Sequence, residues 1–283
     1  MLLSLDLLEP YDFGFFERGM VAATLAGALC GVLGVYVVLR GMSYIGHGLS
    51  HAVFGGAAAS AVMSVNFFVG AGIWGVVSGV LIGRIARRRI LGADAAIGIV
   101  TTASFAAGIA LLNRYGQARK SIEAVLFGSV LGVSWGDVAA ILVVGSIVAA
   151  TLVLAYRSFL FATFDPQVAT VSGERVALIE VMLMVMLSGT ILVTMRVIGT
   201  LLISALLVIP AATARMMTNS FSKMLVIAPA LGAGSCFIGM NASYHLDTSA
   251  GATIILISAA AFTAVYLFAG RRARTRVASL HHI

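Results

Sequence analysis

Residues 19–39 read GMVAATLAGALCGVLGVYVVL, an apolar run without one charged side chain. At a rise of about 1.5 Å per residue such a run is about 30 Å long as a helix, the thickness of a bilayer's hydrocarbon core. Working outward, comparable runs follow at 43–66, 67–86, 95–112, 136–156, 176–195, 197–212, 224–243 and 250–269, with little between them. The whole 283-residue chain is 60% hydrophobic and 10% charged, with a mean hydropathy of +1.06. A soluble domain would carry about 25% charged residues. The pattern predicts an all-α, polytopic helical bundle with eight or nine transmembrane helices. Residues 1–18 form an N-terminal, external lead-in, 19–270 the membrane domain and 271–283 a basic cytoplasmic tail. The apolar piece 121–134 (SIEAVLFGSVLGVS) is too short to cross and reads as a re-entrant or surface-lying segment.

Side orientation comes from the basic residues. Arg40, Arg84, Arg87–Arg89, Arg157, Arg175, Arg215, Lys223 and the arginines of 271–276 fall on one side if the N-terminus is outside. Arg18, Arg114, Arg119, Lys120 and Arg196 remain on the other. That excess marks the cytoplasmic face, so the net charge of +7 needs no nucleic-acid partner. Cys30 and Cys236 lie inside apolar runs and read as packing residues, with no disulfide framework. The N-terminus lacks the basic region and cleavage site of a signal peptide. Gly and Ala recur at helical spacings (Gly27, Gly31, Gly34; Gly75, Gly79, Gly83), the composition that lets membrane helices approach closely.

Polar residues at membrane depth are costly and point to function. His47 and His51, four residues apart in SYIGHGLSHAVFGG, project from one helix face and can share a ligand. Imidazole is the commonest side-chain metal ligand, so the pair suggests a divalent transition metal. Asp94, and His245 with Asp247 near the opposite surface, could add nitrogen and oxygen ligands suited to Zn²⁺, Mn²⁺ or Fe²⁺. No thiolate cluster accompanies them, which argues against copper(I). Asp94 also reads as a helix N-cap, Asp247 as a cap or loop anchor, and Glu180 as a side chain reaching for the interface. His281 and His282 sit in the polar tail. Enzyme chemistry finds no support: Gly48 follows His47, so there is no H-E-x-x-H, and no G-x-x-x-x-G-K-[ST] loop occurs.

Two cytoplasmic segments suit a partner. One, 157–175, carries aromatic residues around Asp165-Pro166. The other, 210–224, begins at Pro210, where the preceding span should end or kink. It should continue as an exposed polar helix bearing Arg215, Met216, Met217, Phe221 and Lys223.

Six ordered motifs then carry a resemblance: RGMSYIGHGLSHAVFGGAA (40–58), ADAAIGIVTTASFAAGI (93–109), VLFGSVLGVSWGD (125–137), FDPQVATVSG (164–173), VIGTLLISALLVIPAATA (197–214) and SYHLDTSAGATIIL (243–256). In this order and spacing the chain resembles the integral-membrane permease subunits of bacterial ABC-type zinc, manganese and iron importers. The resemblance covers most of 19–270. It implies a plasma-membrane permease without an ATPase site of its own and without a permanently bound cofactor, its cargo a divalent metal (Zn²⁺, Mn²⁺ or Fe²⁺). It further implies two cytoplasmic ATPase subunits, a second permease subunit in a homodimer or pseudodimer, and an external metal-binding lipoprotein or periplasmic protein. The segment after Pro210 resembles the ATPase-docking part, with Asp165-Pro166 on the same face. Where the family commonly reads I-G-D-x-L-S-H, this chain has Ile45-Gly46-His47-Gly48-Leu49-Ser50-His51, an Asp/His pair become His/His. The alternative is a stand-alone, proton-coupled secondary metal transporter using the same histidines.

Overall fold

The computed structural model describes residues 9–87, 93–115, 128 and 132–280. A 3₁₀ turn, Glu9–Asp12, leads into α1 (Gly14–Leu39). It is followed by α2 (Ile45–Met63), α3 (Phe67–Arg87), α4 (Ala93–Tyr115), α5 (Trp135–Leu154), and two short helices, α6 (Tyr156–Phe164) and α7 (Pro166–Val171). The chain ends with α8 (Val176–Ile198), α9 (Thr200–Met217), α10 (Phe221–Leu246) and α11 (Ala250–Leu280). Helices thus stand at all nine apolar runs, and among the described residues no strand occurs. Seven of them are long and apolar enough to cross a membrane; α2, which carries both histidines, and the shorter α9 fall outside that set. Inside the bilayer no water can satisfy free backbone groups, so a helix, which pairs them within itself, is the available form.

The helix ends have local causes. Ser134 caps α5 and forms a reciprocal box with Asp137: its hydroxyl accepts from the Asp137 amide at 3.2 Å, and the carboxylate accepts from the Ser134 amide at 2.9 Å. At the end of α1, Gly41 takes φ +65° and donates to Val38, while Met42 donates to Val37. These two bonds close a Schellman turn, which needs a residue without Cβ strain in the left-handed region. Asp165 caps α7, accepting from the amides of Gln167 and Val168, with Pro166 at the first helical position.

α1 is the spine. It packs against α10, α9, α8 and α5, while α2 lies between α3 and α4, and α8 and α9 join the two groups. Its approach to α10 is backbone on backbone: a methyl at Gly27 would strike the Gly232 carbonyl and lie 2.6 Å from the Cys236 sulfur. One turn along, a methyl at Gly31 would meet Ala228 and, at 2.8 Å, the Cα of Pro229. Small residues allow this contact, and dispersion over the close seam holds it.

Several expectations need correction. α1 starts at Gly14, ahead of residue 19, because Phe16 is buried against the rings of Tyr11 and Tyr244 and draws the lead-in onto the bundle. Pro210 neither ends nor precedes a helix; it is buried inside α9, held by the packing of Ala211 and Ala214 in the core. Segment 210–224 is not one helix but the last turns of α9, a break at 218–220 and the start of α10. The weak run 197–212 is itself split by Gly199, at φ +91°, its first two residues closing α8 and the rest lying in α9. Segment 121–134 lies outside the described residues except for Gly128 and 132–134, and Gly128 packs on the backbone of that Gly199 break. Arg88, Arg89, Arg119, Lys120, His281 and His282 also lie outside the described residues.

The α1–α10 seam makes a prediction. Gly27→Val forces the helices apart and costs about 1–3 kcal/mol, the usual toll of overpacking. Gly14→Ala, with nothing within 4 Å of the added methyl, leaves stability unchanged. Thermal unfolding of the detergent-purified protein separates the two.

Candidate functional site

The stiff turn after α1 places α2 so that His47 occupies its first turn and His51 the next. Gly46 and Gly48 let α2 settle deeply. A Cβ on Gly46 would meet Leu207 of α9 at 2.8 Å, and one on Gly48 would run into Ile97 and Thr101 of α4. Leu207 also abuts Gly34, five residues before the end of α1.

The two imidazoles converge. Their Nε2 atoms are 3.2 Å apart, with ring centroids at 4.4 Å and planes nearly perpendicular. A metal bound by two imidazoles at about 2.0–2.1 Å with a tetrahedral angle separates the nitrogens by about 3.3 Å. The pair thus spans one edge of such a coordination sphere. The same spacing suits an N–H···N hydrogen bond when no ion is present. Phe105 lies against the His51 ring at 4.7 Å and Tyr44 against His47 at 5.3 Å, so aromatic walls fix both. The Nδ1 of His51 is buried without a hydrogen-bond partner among the described residues.

The other candidates stand apart. α2 and α4 run side by side in the same direction, Gly48 against Ile97 and Gly55 against Ser104 and Gly108. Asp94, exposed in the first turn of α4, therefore lies toward the arginine-rich end of that groove, about one turn beyond the His47 level. His245, half-buried and with no partner for its Nε2 among the described residues, and the exposed Asp247 stand at the far end of α10 near Tyr244 and Phe13. Asp247 is the left-handed cap of that helix, φ +51°. Among the described residues no three of His, Cys, Asp and Glu gather around one point. The two histidine regions are separate within the chain.

The partner-facing segments do meet. Phe221 stacks edge-on with Phe164 at 5.8 Å and with Tyr36 at 5.5 Å, Tyr36 does so with Phe159 at 5.7 Å, and Tyr156 shares a 3.2 Å hydrogen bond with Ser222. Phe221 is 8% exposed, contrary to the expected surface aromatic, because this cluster buries it. Arg215, Met217 and Lys223 are exposed and Met216 half-buried; Asp165 and Pro166 are exposed beside them on the α6–α7 corner.

Comparison with known proteins follows from this architecture. Residues 12–269 match the ABC 3 transport family. The chain belongs to that family. This ABC 3 protein is 35% identical over 271 residues to the manganese transport system membrane protein MntC of Listeria monocytogenes, covering 96% of each chain. It is 31% identical to the chelated iron transport system membrane protein YfeD of Yersinia pestis, over 95% of this chain and 90% of that protein. In three dimensions it is similar to PsaBC from Streptococcus pneumoniae in complex with Fab, with a TM-score of 0.83 and 30% identity over 92% of this chain and 94% of the other. It is a multi-pass membrane transport subunit of the ABC type, and the stand-alone secondary transporter is set aside by that membership.

Sequence reasoning assigned no role to Asp137 or Thr163, and to Arg40 and Arg196 only a side of the membrane. Arg196 of α8 donates to the Asp137 carboxylate at 2.9 Å and leans over Phe68 at 5.7 Å, tying α8 to α5 and α3. The S-x-x-D pattern of Ser134 and Asp137 is a legible signal; the Arg196 partnership, 59 residues on, is not. Asp137→Ala removes the returning half of the capping box and the ion pair and lowers the unfolding midpoint more than Asp137→Asn, whose amide oxygen can still accept from the Ser134 amide. The difference amounts to about 1 kcal/mol, on the scale of an N-terminal cap.

Proposed function

We propose that this chain is the permease of an ATP-driven importer for divalent transition-metal ions, with His47 and His51 as transient ligands on the ion's route. The observation that carries the reading is the 3.2 Å separation of the two Nε2 atoms, a spacing that one ion can bridge. An external binding protein delivers the metal, the cargo rather than a resident cofactor, to the end where His245 and Asp247 lie. The ion then passes to the pair and leaves past Asp94 toward the arginine-rich, cytoplasmic face. Two nitrogens leave room in the coordination sphere for water or for ligands of a second copy. Conduction requires binding strong enough to displace water yet weak enough to release, which a two-ligand site meets better than a closed cage. Neutral imidazoles favour Zn²⁺ or Fe²⁺ over Mn²⁺, which stands lowest in the Irving–Williams order.

ATPase subunits dock on the α6–α7 corner together with Arg215, Met217 and Lys223. The support is the aromatic cluster around Phe221, which makes these two distant stretches one surface. Around it Val171 is 91% and Met217 54% exposed, apolar side chains a partner can cover.

Two experiments test the reading. In the complex reconstituted with its ATPase and binding protein, His47→Ala with His51→Ala should lower metal uptake at least about tenfold, a loss no smaller than that from disturbing a metal ligand's support. The protein stays folded, because both rings are half-exposed. Undiminished uptake of Zn²⁺, Fe²⁺ and Mn²⁺ sinks the metal assignment, and competition among the three ranks the cargo. Separately, Val171→Glu with Met217→Glu should abolish co-purification of the ATPase while the permease still elutes as a folded species. Retained ATPase sinks the docking surface.

A further inference from the structure

The α1–α2 turn that positions His47 is gripped by the helix leading to the α6–α7 corner. Arg40 is the last, capping residue of α1. Its Nε donates to the hydroxyl of Thr163 at 3.3 Å, across 123 residues of sequence. Thr163 is buried, stands one residue from the end of α6, and passes its own proton to the Phe159 carbonyl at 2.6 Å. Asp165-Pro166 follow at once. On the other side, Arg40 is joined to the metal pair by a short turn braced by three backbone bonds: Gly41 to Val38, Met42 to Val37, and Ile45 to Met42 at 2.8 Å. His47 is seven residues from Arg40.

The guanidinium is placed for this task. It sits where α1 and α6 both end, and a cation is favoured by the carbonyl end of a helix. Glu180 of α8 is close enough to act on its charge. Its Nη2 is buried and has no hydrogen-bond partner among the described residues. A buried donor left unpaired costs free energy. In this arrangement Arg40 uses one N–H on α6 and keeps another in reserve, able to take a new acceptor when α6 moves. The aromatic contacts of Tyr36 with Phe159 and Phe221 bind the same three helices by packing, but a ring contact slides where a hydrogen bond between fixed atoms holds direction.

We infer that the Arg40–Thr163 bond is a positioning link that transmits movement of the α6–α7 corner to the His47/His51 pair, so that ATP use and metal release stay in step. This rests on the docking and metal readings above. Arg40 touches neither ATP nor metal; it acts through the turn.

The test uses the full complex in proteoliposomes, measuring metal uptake and ATP hydrolysis in the same sample. Thr163→Val removes the acceptor while keeping the shape, Thr163→Ser keeps the hydroxyl, and Arg40→Lys keeps the charge but loses the planar Nε–H. Uptake per ATP should fall about fivefold or more in Thr163→Val and Arg40→Lys, the scale of a coupling between sites. ATP hydrolysis, ATPase co-purification and binding of Zn²⁺ alone should remain near native, and Thr163→Ser should restore the ratio. A native ratio in Thr163→Val and Arg40→Lys overturns the link. So does a parallel loss of hydrolysis and uptake, which marks a merely structural bond. Failure of the underlying readings looks different: uptake indifferent to loss of both histidines, or ATPase indifferent to the two glutamate substitutions.

Discussion

Within hydrocarbon, a polar backbone group that finds no partner in the protein has none at all, and the rest of this structure answers to that constraint. It makes the chain helical, and it leaves association to close packing because lipid tails compete on equal terms with apolar side chains. The seam of Gly27, Gly31 and Gly232 between α1 and α10 is the result: two backbones in contact where any side chain would separate them. Pro210 and Pro229 can stand inside α9 and α10 because neighbouring helices support the backbone that they deprive of a bond.

The same glycine logic shapes the functional region. Gly41 allows the tight left-handed turn between α1 and α2, and Gly46 and Gly48 let α2 sink against α9 and α4. The histidines are then presented at a set depth by a rigid element rather than a loop. That rigidity is what makes a distant hydrogen bond at Arg40 mechanically relevant to His47. The buried Nδ1 of His51 and Nη2 of Arg40 share a character: neither has a hydrogen-bond partner among the described residues.

How much of this was legible depended on the range of the interaction. Every apolar run, the four-residue spacing of His47 and His51, and the basic face are local or compositional properties, and hydrocarbon imposes on them one outcome. The box of Ser134 and Asp137 was equally local. The fate of Phe221 was not: its exposure depended on Tyr36, Tyr156 and Phe164, which arrive from distant parts of the chain. Pro210 misled because an isolated helix breaks there, whereas a packed one need not.

By itself, then, the order of residues determined that the chain is a bundle of membrane helices, which face is basic, and that two imidazoles share one side of α2. Tertiary structure alone decided that their Nε2 atoms meet at 3.2 Å, that Asp94, His245 and Asp247 stand away from them, and that Arg40 bonds Thr163. The physical reason is one of distance along the chain. Periodicity and hydropathy act over a few turns, whereas side-chain convergence depends on how separate helices approach, and that is set by small residues at many scattered positions at once.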